Sequence, residues 1–208
     1  MAYSDFNTLS KVRTAFNLSI NETTRLFPDL VAIEPSDYLK TTLDEFLPLA
    51  NAINTEKARS ELIIAPVLLE VRRHLSFQVG FFSGTDFNVD PTVGLSGYCD
   101  YILTASKEMY EIYAPVVTLV EAKNENIKSG LGQCIAEMVA AQRFNQQKET
   151  PIDTIYGAVT TGMIWKFLKL VNQTVFIDLN DYFIKEIDKI LGVLSAPLSQ
   201  YLSNKNDL

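Results

Sequence analysis

Glu121 and Lys123 stand two residues apart at the end of an otherwise apolar run, Val117-Thr118-Leu119-Val120-Glu121-Ala122-Lys123. Residues two apart on a strand leave the same face, so a carboxylate and an ammonium emerge side by side while Ala122 turns the other way into packing. Asp100 belongs to the strand read before this one, in the stretch "GYCDYILTA". If the two strands pair, Asp100 comes across from Glu121. Two carboxylates brought that close repel each other and raise a pKa unless a cation sits between them. Mg²⁺ suits such a place, because it takes one or two carboxylates and keeps waters and phosphate oxygens as its other ligands. Lys123 would then orient or deprotonate a water, or neutralise charge in the transition state. As a bare tripeptide, E-x-K is common by chance and fits a solvated strand end with a weak surface ion pair equally well. Its company gives it weight: a partner acid on the preceding strand, a glycine-rich link, and a helix that opens with Gln133.

The elements that must position these residues are an alternation of helices and strands. Ser36 caps a helix whose apolar residues Leu39, Leu43, Phe46, Leu47 and Ala50 recur at helical spacing. A second helix begins near Thr55, with Pro66 inside it as a kink or break. Glu61 and Ala65 share one of its faces. "SFQVGFF" is a short strand, "GTDFNVDPTVGLSG" a turn-rich loop, and "SKEMYEIY" a hairpin turn with short strand ends. After the Glu121 strand, "NENIKSGLG" leads into the helix "GQCIAEMVAAQRFNQQ", with Ile135, Met138, Val139 and Ala141 or Gln142 as its apolar stripe. "DTIYGAVTTG", "IWKFLKL" and "TVFIDL" form a strand and a meander, and an amphipathic helix closes the chain. The pattern predicts an α/β fold: a mixed central sheet flanked by helices, core order α-β-β-β-α-β. It divides one domain, 1–208, into a helical extension over 1–53, a core over 54–165 and a strand-and-helix addition over 166–208.

The segments "GYCDYIL", "LVEAK" and "GLGQCIAEM" together resemble the PD-(D/E)XK phosphodiesterase superfamily, the restriction-endonuclease-like fold, over roughly residues 55–165. The likeness is nearest to the branch with a Gln on the helix after the motif, and "GAVTTGMIWKF" resembles the strand-turn-strand that follows this helix in uncharacterised members. The resemblance implies a nuclease dependent on Mg²⁺ or Mn²⁺, cutting nucleic acid, with DNA as the expected partner. Asp100 and Glu121 would bind the metal, with the Ala122 carbonyl as a further ligand and Glu61 joining from the first core helix. Lys123 would be catalytic and Gln133 would orient groups near the site. Cys99 stands where the family pattern has proline, a change that leaves the ligand untouched. Two readings stand beside this one: a catalytically silent module of the same fold that binds nucleic acid or protein in a mobile-element or defence context, and a metal-dependent hydrolase of smaller phosphoesters.

Composition narrows the field. No apolar run is long enough to span a bilayer, and the N-terminus lacks the basic-then-apolar order of a secretory signal. The expectation is a soluble cytoplasmic protein. Two cysteines and one histidine cannot build a four-ligand zinc site, so Cys99 and Cys134 read as buried thiols. The net charge of −7 argues against nucleic-acid binding by charge alone, and residues 61–120 hold seven acids against three bases, so a partner chain could supply the basic groove. A homodimer fits an enzyme that makes two cuts. His74 reads as a helix-end residue, Asp86 and Asp90 as turn residues, and "GLG" at 130–132 as hinge glycines, since no Lys-Ser/Thr pair follows. Trp165 and Phe167 read as core or sheet surface. Arg72, Arg73, Lys128, Arg143 and Lys166 are phosphate-contact candidates or ordinary surface charge.

Overall fold

The computed structural model describes residues 1–203. The element order is α1 (Leu9–Phe16), β1 (Ser19–Asn21), α2 (Asp37–Ile53), α3 (Glu56–Arg59), α4 (Ala65–His74), β2 (Gly80–Asp86), β3 (Tyr98–Thr104), β4 (Val116–Ala122), α5 (Ile127–Gln147), β5 (Thr154–Thr160), β6 (Ile164–Val171), β7 (Thr174–Ile177), β8 (Tyr182–Phe183) and α6 (Ile187–Ser203). The strands make one open sheet of mixed direction, ordered β1-β7-β6-β5-β4-β3-β2, with β8 pairing β6. The α/β architecture and the order helix, three strands, helix, strand are therefore present.

Every residue of β4 is buried. It lies between β3, which is antiparallel to it, and β5, which is parallel. A strand covered on both faces reads as a continuous apolar run, and that is why "VVTLV" stood out. One face of the sheet packs against α1 and α5, through Val12, Cys134, Ile135 and Met138. The other packs against α2, α4 and α6, through Leu39, Val67, Leu68, Leu191 and Leu194. The Asn145 side chain from α5 bonds both the N–H and the C=O of Val116, each at 2.8 Å, where β4 begins.

The helix expected from Thr55 onward is interrupted. It begins where expected, with Thr55 as its cap, accepting the Ala58 N–H at 3.1 Å. Residues Ser60–Ile64 then form a π turn, in which the Ala65 N–H reaches back to the Ser60 carbonyl. Pro66 follows at once, without an N–H to continue a regular ladder. Ser36 caps α2 as expected, accepting from the Leu39 N–H at 3.2 Å.

Four expectations need correction. The first 53 residues are not purely helical, because β1 adds a strand to the sheet edge, parallel to β7. "SKEMYEIY" forms no strand; it is a loop stretched between β3 and β4. β2 runs on through Gly84-Thr85-Asp86, into the segment read as loop, paired with Tyr98 and Cys99 of β3. Finally, α5 starts at Ile127, five positions before Gly132, capped by Asn126.

Candidate functional site

Asp100, Glu121, Ala122 and Lys123 meet where β3 and β4 part. The ladder between these strands holds at Tyr101–Val120. At the next position the Asp100 carboxylate, not the β3 backbone, accepts the Ala122 N–H, at 2.8 Å. A side-chain oxygen thus closes the sheet edge and brings Asp100 against the Glu121-Ala122-Lys123 strand end. On the other side the ladder continues, with the Lys123 N–H donating to the Thr160 carbonyl at 2.8 Å.

Glu121 and Lys123 share a face, as the strand period requires, and their side chains form an ion pair. Glu121 is 1% exposed. Its second oxygen accepts from Gln133 Nε2 at 3.0 Å. The same nitrogen donates to Glu137 Oε1 at 3.1 Å, one turn further along α5. A chain of polar groups, Lys123–Glu121–Gln133–Glu137, therefore runs from the strand end into the helix. Gly130 makes room for it. A Cβ there would meet the Lys123 stem at 3.1 Å and Val159 at 2.7 Å. Gly132 instead lets the backbone of Phe6 approach. The glycines of "GLG" are close-packing positions inside α5 and not a hinge before it.

The electrostatics follow from burial. Burial, with the negative charge of Asp100 added, raises the Glu121 carboxyl from an ordinary 4.5 to about 8 against the pull of Lys123. Burial works against the Lys123 ammonium, and the Glu121 carboxylate outweighs it and raises that pKa. Glu137 is raised well above the usual range by burial first and by Glu121 second.

Glu61 and Asp100 share a cleft of about 310 Å³ with Glu56, Ser60 and Ala122. The π turn forms its wall. Ser60 Oγ lies 2.6 Å from the Tyr101 hydroxyl, and that hydroxyl donates to the Ser60 carbonyl at 2.8 Å. Tyr101 thus pins the widened turn beside its sequence neighbour Asp100. Glu61 is exposed and ion-paired with Lys57 at 2.6 Å. The six expected site residues therefore fall into two linked groups. Glu121 bonds both Lys123 and Gln133; Asp100, Glu61 and Ala122 line the cleft; the Ala122 N–H bond to Asp100 joins the two groups. Size does not pick out this place, since a more apolar hollow of about 560 Å³ lies between residues 26–33 and α6, with His74 at its edge.

The donor set is all oxygen, which suits Mg²⁺ or Mn²⁺ better than a softer metal. Among the described residues no group of three or more His, Cys, Asp or Glu side chains is gathered closely enough to form a ready-made cage. An ion would be held by Asp100 and by Glu121 released from Lys123, with Glu61 and the Ala122 carbonyl at hand.

Two residues of this region were not singled out in the sequence. Glu56 contributes negative charge felt at both Glu121 and Lys123. Glu137 sits inside the apolar helix and is fully buried. Its signal was the i, i+4 spacing from Gln133, which puts both on one face of a helix. Most candidate phosphate contacts have internal partners: Arg143 pairs with Asp90 at 2.7 Å, Arg73 with Glu70 at 2.5 Å, and Lys166 with Asp181 at 2.5 Å. Arg72 donates to the Val79 carbonyl at 2.9 Å. Trp165 and Phe167 are core, and Cys99 and Cys134 are buried free thiols. No helix among the described residues is long and apolar enough to cross a membrane. No protein-family model matches the chain, and no curated protein matches it.

Proposed function

We propose that this chain is a divalent-metal-dependent nuclease of the restriction-endonuclease-like fold, hydrolysing phosphodiester bonds of nucleic acid, with DNA as substrate. One observation carries the reading: the Asp100 carboxylate of one strand is bonded to the N–H of Ala122 on the next, the residue that stands between Glu121 and Lys123, whose side chains are ion-paired. Burying such a cluster is unfavourable for stability alone, and a charge that arrives with substrate or ion would relieve it. The mixed sheet and the element order support the fold assignment.

In this reading Asp100 and Glu121 would hold Mg²⁺ or Mn²⁺, which would supply positive charge to polarise a phosphate and lower the pKa of water. Glu121 is ion-paired with Lys123, so a cation at Glu121 would compete with that ammonium. The Lys123 ammonium, at the same strand end, would donate a hydrogen bond or a proton to a phosphate or leaving-group oxygen. Gln133 holds the second Glu121 oxygen in place. Glu61 and Glu56, across the cleft, favour a cation there over a bare anion.

A second reading draws on the closed Lys123–Glu121 pair and on the dispersed acids: a catalytically silent module that binds nucleic acid or protein. The two are separated by incubating the protein with single-stranded DNA, duplex DNA and RNA, in Mn²⁺ or in EDTA, beside Lys123→Ala. Metal-dependent cutting that the variant loses supports the nuclease. Binding without cutting, unchanged in the variant, supports the module.

A further inference from the structure

Glu137 is the buried acid that the proposed chemistry does not use. It is 0% exposed, in the middle of α5. Among the described residues it forms no ion pair, and its Oε2 has no hydrogen-bond partner. A packed apolar side chain of similar size would suit this position better if stability were all that mattered. The chain nevertheless places a carboxyl here, one turn beyond Gln133 and beneath Glu121.

We infer that Glu137 is a positioning residue: it fixes the side-chain amide of Gln133, and through that amide the carboxylate of Glu121. The geometry is specific. Gln133 Nε2 carries two hydrogens and has two acceptors, Glu121 Oε2 at 3.0 Å and Glu137 Oε1 at 3.1 Å. Turning the amide over would set its carbonyl oxygen against both acids, so the nitrogen-inward orientation is specified twice. Without Glu137 the amide keeps one bond and can rotate away from Glu121. Burial, and after it the negative charge of Glu121, push the Glu137 carboxyl well up from its ordinary value. Outer partners of this kind orient the groups that touch an ion or substrate.

The inference rests on the proposed site for its catalytic meaning, and its geometry can be read without that. Two variants are compared with the wild type. Glu137→Gln keeps an acceptor for the Gln133 amide, and Glu137→Met fills the space without one. Side-chain amide NMR of Gln133 reports order directly, Mn²⁺ titration reports ion affinity, and cleavage reports the reaction. In Glu137→Met the Gln133 amide protons should lose their protection from exchange, Mn²⁺ affinity or kcat should fall ~10–100-fold, and the melting temperature should hold or rise. Glu137→Gln should restore all three readouts. If the wild type neither cuts nor binds Mn²⁺ but Glu137→Met still frees the Gln133 amide, the nuclease reading fails and the positioning role stands. Equal Gln133 protection in the wild type and Glu137→Met overturns the positioning role, whatever the activity.

Discussion

Two kinds of buried acid occur in this protein, and they are treated in opposite ways. Glu70 in α4 accepts from the Ser36 N–H at 2.9 Å and from Arg73 at 2.5 Å. Burial pushes its carboxyl up, but these bonds outweigh burial and hold it below the ordinary 4.5. Asp178 accepts from the Asn180 N–H at 3.0 Å and the Tyr182 hydroxyl at 3.1 Å. Both are joints: Glu70 ties the start of α2 to α4, and Asp178 ties the end of β7 to β8. At the other end of the scale, Glu121 has its pKa raised to about 8, and Glu137 has an oxygen with no hydrogen-bond partner among the described residues. A fold that satisfies its acids at the joints has the means to do so elsewhere. Leaving two of them costly in one place, beside Asp100, marks that place as serving something other than stability.

The contrast can be broken by neutralising an acid of each kind. Glu121→Gln should lower metal-dependent cutting by at least about a hundredfold while raising the melting temperature at pH 8, because a costly buried charge is gone. Parallel cleavage and thermal-melt series check both halves, and a destabilised variant would place Glu121 with the joints. Glu70→Ala should do the reverse, losing about 1–3 kcal/mol of stability with cutting unchanged; denaturant titration reads the loss.

Titration sharpens the same contrast. The folded protein keeps a proton on Glu121 that the unfolded chain releases near 4.5, so this contribution is full below 4.5 and is lost as pH rises toward about 8. Glu70 acts with the opposite sign: its contribution is present above 4.5 and is lost as pH falls through its lowered folded value. Melting temperature against pH, without divalent metal, should therefore fall across neutrality in the wild type and fall less in Asp100→Asn, which removes a charge that raises Glu121. A flat profile in the wild type contradicts the assignment for Glu121. The smallest effect is expected at Asp178→Asn, which keeps an acceptor for Asn180 and a partner for Tyr182; about 1 kcal/mol or less is at stake, with no change in cutting.

Much of the site was legible because β4 announces itself. A strand buried on both faces must be apolar, so Glu121 at its end is conspicuous, and the strand period alone puts Lys123 beside it. Ser36 was readable as a cap because capping is local chemistry. What escaped was non-local. β1 is Ser-Ile-Asn, too short to show a period, and it is a strand only because β7 is there to pair with it. Pro66 signalled a break, but not that the turn before it would widen and rest on Tyr101. Glu137 was hidden by the apolar run around it, where a helix stripe was the natural reading; its meaning needs Gln133 and Glu121 brought together in space. The split of the acids between the cleft and the α5 side depends on where β3 leaves β4, and no spacing in the sequence reports that.

Titration of the protein with Mn²⁺ by calorimetry, beside Asp100→Asn, tests most directly whether Asp100 and Glu121 form one cation site. The expected result is saturable binding to the wild type that the variant loses, with the wild type alone melting higher in Mn²⁺. No binding to the wild type, or equal binding to both, would contradict it.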